Sequence, residues 1–195
     1  MADFPGEDGG RYENAGKVNT GTTGTTITSG AANTKGSYTQ LIASTAFGAS
    51  ELILSYTELV EANFMIDIAV GAAAAETVIL SNIFVSEPDT DSPPDFMHFP
   101  VNIPAGTRVS ARCQDDSGSL TIKISAQLLA KGLMPASGVQ RSTTYGAVTT
   151  TTRGAQLDPG ATVNTKGAWV QLIASTTNPM RLISLLSGKD ITNAV

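Results

Sequence analysis

One cysteine and one histidine in 195 residues leave little for metal or nucleophile chemistry. Cys113 has no partner for an intrachain disulfide, and a single thiol builds no cysteine-rich zinc site. It alternates with polar neighbours, which suits a small buried hydrophobe. His98, between Met97 and Phe99, has no second histidine for a metal pair and no marked nucleophile beside it. It reads as a surface or partly buried strand residue. Charge is also scarce, at 15% of the chain against about 25% in ordinary soluble domains. The net charge is −5, with no block of Lys or Arg to neutralise a run of phosphates, so no nucleic-acid partner is expected. No basic amphipathic segment suits an anionic membrane, and no run of eighteen apolar residues suits a span. The opening MADFPGEDGGRYENAG lacks a basic stretch followed by an apolar one, so cytoplasmic synthesis without a Sec-type signal is expected. Glycine motifs for phosphate and nucleophile-elbow motifs are missing, and the GTTGTT tract leads into no helix. No cofactor, metal or catalytic residue is therefore assigned.

What the chain does contain is a duplication. The stretch 33–45, NTKGSYTQLIAST, returns 131 residues later at 164–176 as NTKGAWVQLIAST, with 10 of 13 positions identical. That offset is too long for a solenoid and suits a whole small domain. Between the copies the pattern is β throughout, with no convincing helix. In 37–43, Thr39, Leu41 and Ala43 share one face, and Tyr38, Gln40 and Ile42 the other. The run 50–56 (SELILSY) is a short apolar strand. In 64–70, Phe64, Ile66, Ile68 and Val70 point inward, with Met65, Asp67 and Ala69 outward. Further strands cover 77–85, 96–103, 108–114 (Val109, Ala111 and Cys113 inward; Arg108, Ser110 and Arg112 outward) and 120–128 (Leu120, Ile122, Ile124, Ala126 and Leu128 inward). PAGT (104–107) is a tight turn, with Gly106 suited to positive φ, and DDSG (115–118) is a hairpin turn signal.

About eight strands joined by regular turn signals predict an all-β, antiparallel β-sandwich of jelly-roll or other Greek-key type. The predicted organisation is an extended N-terminal arm (1–24), a sandwich domain (25–130), a linker (131–145) and a partial second sandwich repeat (146–195). In that second repeat, MRLISLL (180–186) answers SELILSY. No later strand of the first copy has a counterpart, so a half-sandwich would expose its apolar face and edges. Either the gene product is longer, or another chain completes the fragment.

Acidic residues offer the remaining candidates. Asp89, Asp91 and Asp95 lie in an acidic, Pro-rich loop, SEPDTDSPPD (86–95). Their oxygens suit Ca²⁺, but the spacing is not that of an EF-hand, and a solvated loop explains them. Asp115 and Asp116 are explained by the turn. No carboxylate pair stands out for glycoside hydrolysis.

The repeated NTKGxxxQLIAST block, with IDIAVG (66–71) and IPAGTRVSARCQ (103–114), resembles a β-sandwich module of tailed-bacteriophage virion proteins. The resemblance covers about residues 25–129 and 160–187. In such modules the first motif opens the domain and an IPAGTR-type hairpin comes near its end. The resemblance implies a non-enzymatic structural subunit in the virion, made in the host cytoplasm, in a head-decoration, neck or tail/fibre position. Its partners would be other virion proteins and copies of itself. The competing reading is a module that binds a host-surface glycan or receptor, with Tyr38 and Trp169 as stacking platforms. A polysaccharide depolymerase has the least support. The first 24 residues, without pattern, would serve as an arm that adds a strand to a neighbouring sheet.

Overall fold

Side chains that alternate in and out along a strand must bury one face, and here two sheets bury theirs against each other. The computed structural model describes residues 11–17, 24–58, 62–87, 96–130, 142–146, 154–158, 160, 162–176, 179–180 and 183. Among them there are ten strands and no helix. They are β1 (Tyr12–Ala15), β2 (Thr25–Thr28), β3 (Thr39–Ile42), β4 (Ala49–Glu58), β5 (Ala62–Val70), β6 (Thr77–Glu87), β7 (Phe96–Ile103), β8 (Val109–Asp115), β9 (Thr121–Leu129) and β10 (Ser142–Thr143).

The first sheet runs β1-β9-β4-β7, with β2 also on β9; the second runs β10-β6-β5-β8-β3. Taking β2 to β9 in order, successive strands change sheets at every step but one, the β5–β6 hairpin. The resulting four-strand orders, 2-9-4-7 and 6-5-8-3, are those of a jelly roll. Ile27, Leu52, Leu54 and Tyr56 of one sheet and Phe64, Ile66, Ile68, Val109 and Cys113 of the other form one buried cluster. The β-sandwich is therefore an eight-stranded jelly roll with two additions.

The first addition lies inside the stretch expected to be an arm. β1 pairs antiparallel with residues 126–129 of β9, and β2 pairs with 121–124 of the same strand. The two form one interrupted edge of the domain's own sheet. Of β1 only Ala15 is buried, so YENA carries no apolar alternation; the main chain alone makes it a strand. The second addition, β10, lies in the expected linker and pairs parallel with β6.

Three further expectations change. DDSG joins β8 to β9 and PAGT joins β7 to β8, and in each case the two strands belong to different sheets. Neither turn closes a hairpin. The reason is geometric: turn chemistry reverses the chain without fixing which sheet receives it. Gly106 does adopt the expected positive φ, at 75°. The outward positions of β5 are not solvated, for Met65, Asp67 and Ala69 are all buried. Finally, the described residues of 154–183 contain no strand. The first copy is a strand because β3 pairs with β8, with Thr39 opposite Ala111 and Gln40 opposite Ser110. A strand exists only by its partner, and among the described residues the second copy has no β8 of its own. Its Trp169 is fully exposed.

Candidate functional site

The residues common to both copies are polar or glycine more often than apolar, which a core strand does not require. In the first copy the structure shows what each does. Asn33, in left-handed conformation at φ 56°, donates its N–H to the Asp115 carbonyl at 2.7 Å, and the Gly36 N–H bonds to the Cys113 carbonyl at 2.8 Å. The chain therefore tracks β8 before β3 begins. Gly36 lies so close to β2 that a Cβ there would sit 2.1 Å from the Thr28 carbonyl oxygen. No side chain fits, and the glycine is a close-approach residue.

Lys35 reaches over the neighbouring strands. Its Nζ donates to Asp67 Oδ1 at 2.9 Å and to the Met65 carbonyl at 3.1 Å. Asp67 also accepts from Arg112 Nε at 2.9 Å through Oδ2. A third donor comes from a bulge. Ile66 faces Ile83 and Ile68 faces Leu80, so two residues of β6 oppose Asp67. One of them, Asn82, takes a φ of 53° and turns its N–H to Oδ1 at 2.9 Å. Burial alone would raise the Asp67 pKa, but the three donors outweigh it and the net shift is downward. Burial lowers the Lys35 pKa, partly offset by Asp67. Both shifts favour loss of a proton, which charges the carboxyl but would neutralise the amine. The carboxylate's direction decides its charge, because three donors converge on Asp67 while the lysine faces one carboxylate.

Beside this cluster Arg112 lies over the Tyr38 ring, 4.6 Å from its centroid. Arg108 donates from Nε to Gln40 Oε1 at 3.1 Å and from Nη1 to Glu76 Oε1 at 2.9 Å. At the far end Thr45 closes on the PAGT turn: its Oγ1 donates to the Pro104 carbonyl at 2.9 Å and its N–H to the Thr107 carbonyl at 2.9 Å. The two motifs NTKGxxxQLIAST and IPAGTR are thus the two halves of one sheet edge. Sequence reasoning took Arg108, Arg112 and Asp67 for outward-facing residues and did not connect them. The available signal was the lysine and glutamine held in both copies, which a purely apolar strand would not need.

Each of the other described candidates has a place in the packing or hydrogen bonding of the fold. Cys113 is fully buried in the core, and burial pushes its thiol up to about 12. His98 is half-exposed on β7, with Nδ1 2.7 Å from Oε1 of the buried Glu51. Asp115 is buried and organises the β8–β9 connection: it accepts from Ser29 Oγ, from the Gly118 N–H, from the Ser117 N–H at 2.6 Å and from the Leu120 N–H at 3.4 Å. Asp116 lies beside it in the turn, partly exposed. Asp89, Asp91 and Asp95 lie outside the described residues. Among the described residues no group of three His, Cys, Asp or Glu is placed to hold a metal ion, and no helix is long and apolar enough to cross a membrane. Tyr38 and Trp169 are not equivalent in environment, for Tyr38 lies beneath Arg112 while Trp169 is bare.

No family model and no curated protein sequence matches the chain. Among solved structures it is similar to a chain of infectious bursal disease virus, Gx strain, at 11% identity and a TM-score of 0.38. A chain of the Gt strain of that virus gives 13% and 0.37. Each similarity covers 66% of this chain and 35% of the viral one, so the match spans about a third of those proteins.

Proposed function

We propose that the chain is a non-enzymatic structural subunit of a tailed-phage virion, acting through subunit–subunit contacts in a head-decoration, neck or tail/fibre position. The observation that carries this reading is the use to which its two motifs are put. Lys35, Gly36, Tyr38, Gln40, Thr45, Arg108 and Arg112 all hold a sheet edge together. The most distinctive residues of the sequence thus make structure. Jelly rolls serve capsid proteins, lectins and cupins alike, so the fold alone does not choose among them; the motif resemblance supports the first. Quantitative mass spectrometry of purified particles tests the proposal. Peptides from the jelly roll in fixed stoichiometry to the major particle protein are expected, and their absence would remove the virion reading.

One observation favours a second reading, a glycan- or receptor-binding module. Trp169 is completely exposed, and a bare indole face is suited to stacking on a sugar. Glycan-array binding lost in Trp169→Ala, with the jelly roll still folded, would support it.

A further inference from the structure

Each chain carries two segments of the NTKGxxxQLIAST type but one β8 edge to receive them among its described residues. The segment 33–45 fills that edge here, while 164–176 is exposed and forms no strand. The bonds of the resident segment show what the second one is equipped to do. Of the residues whose side chain or backbone geometry seats 33–45, all but Tyr38 recur: Asn164 for Asn33, Lys166 for Lys35, Gly167 for Gly36, Gln171 for Gln40, Leu172 for Leu41 and Thr176 for Thr45. Asn164 already holds a φ of 62°, against 56° at Asn33. The three differences do not spoil the fit. Trp169 replaces Tyr38 over an arginine, and indole is the better cation–π face. Val170 replaces Thr39 with a β-branched, more apolar residue, and Ala168 replaces Ser37.

We infer that 164–176 is a strand donor for the β8 edge of a second copy of this chain, exchanging with that copy's own 33–45 in the register Val170 opposite Ala111 and Gln171 opposite Ser110. The exchange is like for like. Lys166 meets Asp67, Trp169 meets Arg112 and Gln171 meets Arg108, so the arriving segment remakes each pairing that the departing one gives up. The flanks of the resident do not depend on it, because β2 and β4 are each paired to β9 in the other sheet. A tethered segment has the advantage of high effective concentration, on the order of millimolar. The resident therefore holds its seat in a dilute chain, and exchange belongs to the crowded conditions of assembly. The contact joins two different surfaces, so it closes into a pair where two copies exchange reciprocally and extends into rings or arrays where they do not. This deepens the subunit reading above and rests on it.

The test uses two full-length chains, one with Gln171→Cys and one with Ser110→Cys, co-refolded from urea at high concentration and then oxidised. Native Cys113 is buried in the core and stays out of the reaction. The expected result is a covalent dimer whose peptide map links positions 110 and 171. Links between two 171 positions alone, or no intermolecular links, would overturn the inference. A second variant, Val170→Pro, lies outside the jelly roll and leaves it folded. With Gln171→Cys it is expected to lose the 110–171 link, and persistence of the link would also overturn the inference. Trp169, the sole tryptophan, gives an independent signal: its emission should shift to the blue as concentration rises in the native chain, and an unchanged spectrum at all concentrations would count against exchange. If Val170→Pro is incorporated into particles normally and no 110–171 link forms, exchange fails while the subunit reading stands. A 110–171 link in a protein missing from particles would support exchange and remove the virion reading.

Discussion

Asp67 is the residue on which the second sheet's outer face depends. Its pKa is held below the ordinary value of 3.8. A depressed carboxylate contributes stability that is present above the unfolded value and lost as pH falls through the folded one. Asp67→Asn should therefore lower stability by about 2 kcal/mol at neutral pH, because it leaves Lys35 and Arg112 without their shared anion. The gap between the two urea midpoints should close as pH falls below about 4; a gap constant with pH would contradict the assignment. Gly36 makes a different test at the same scale. Gly36→Ala places a methyl against the Thr28 carbonyl and should cost about 3 kcal/mol. The same change in the other copy, Gly167→Ala, should move stability by less than about 0.5 kcal/mol, since the residue is exposed. Chemical denaturation of the two variants side by side checks the pair.

Among the elements, those with a clean period of 2 were legible from the sequence, and the rest were not for identifiable reasons. β9 shows Ile122, Ile124, Ala126 and Leu128 buried in alternation, as its pattern requires. β1 has no such pattern because its role is to satisfy β9's outer hydrogen bonds, which any sequence with N–H and C=O groups can do. The outward side of β5 read as exposed because alternation reports the facing of side chains and is silent on what covers them. Sheet order was out of reach because pairing is decided by residues about a hundred positions apart, as in β2 with β9. The DDSG stretch shows the same limit. Its first aspartate is no ordinary turn residue but the acceptor that ties Ser29, Gly118 and Leu120 at the passage between sheets. Asp115→Ala should cost about 3 kcal/mol by stranding those buried donors, while Asp116→Ala should be near neutral. Equal effects in thermal unfolding would mean that the turn, and not the buried carboxylate, carries the connection.

For the whole molecule the duplication divides one sequence between two states. The bond after Lys35 lies in a paired edge and that after Lys166 in an exposed segment. Limited trypsin digestion should cut the second copy first and leave the bond after Lys35 intact until the jelly roll itself opens; cleavage at both sites at similar rates would show that the β3 edge frays. The candidate site was legible in part. The repeat holds Lys35 and Gln40 in both copies, a signal the sequence carries, but their partners Asp67, Arg108 and Arg112 are supplied by distant strands and surface only once the sheets are assembled.

The interrupted edge formed by β1 and β2 has a mechanical consequence. Because β1 runs antiparallel to the end of β9, Ala130 donates its N–H to the Arg11 carbonyl at 2.9 Å, so residues 11 and 130 lie side by side at one corner of the jelly roll. Tension applied between those two residues therefore loads the β1·β9 ladder at its terminal rung, opening it one rung at a time like a zipper instead of shearing all its rungs together. A domain tethered in this way hangs as a bead beside the line of force. Its outermost strand yields first under a pull, while the core between the two sheets stays unloaded.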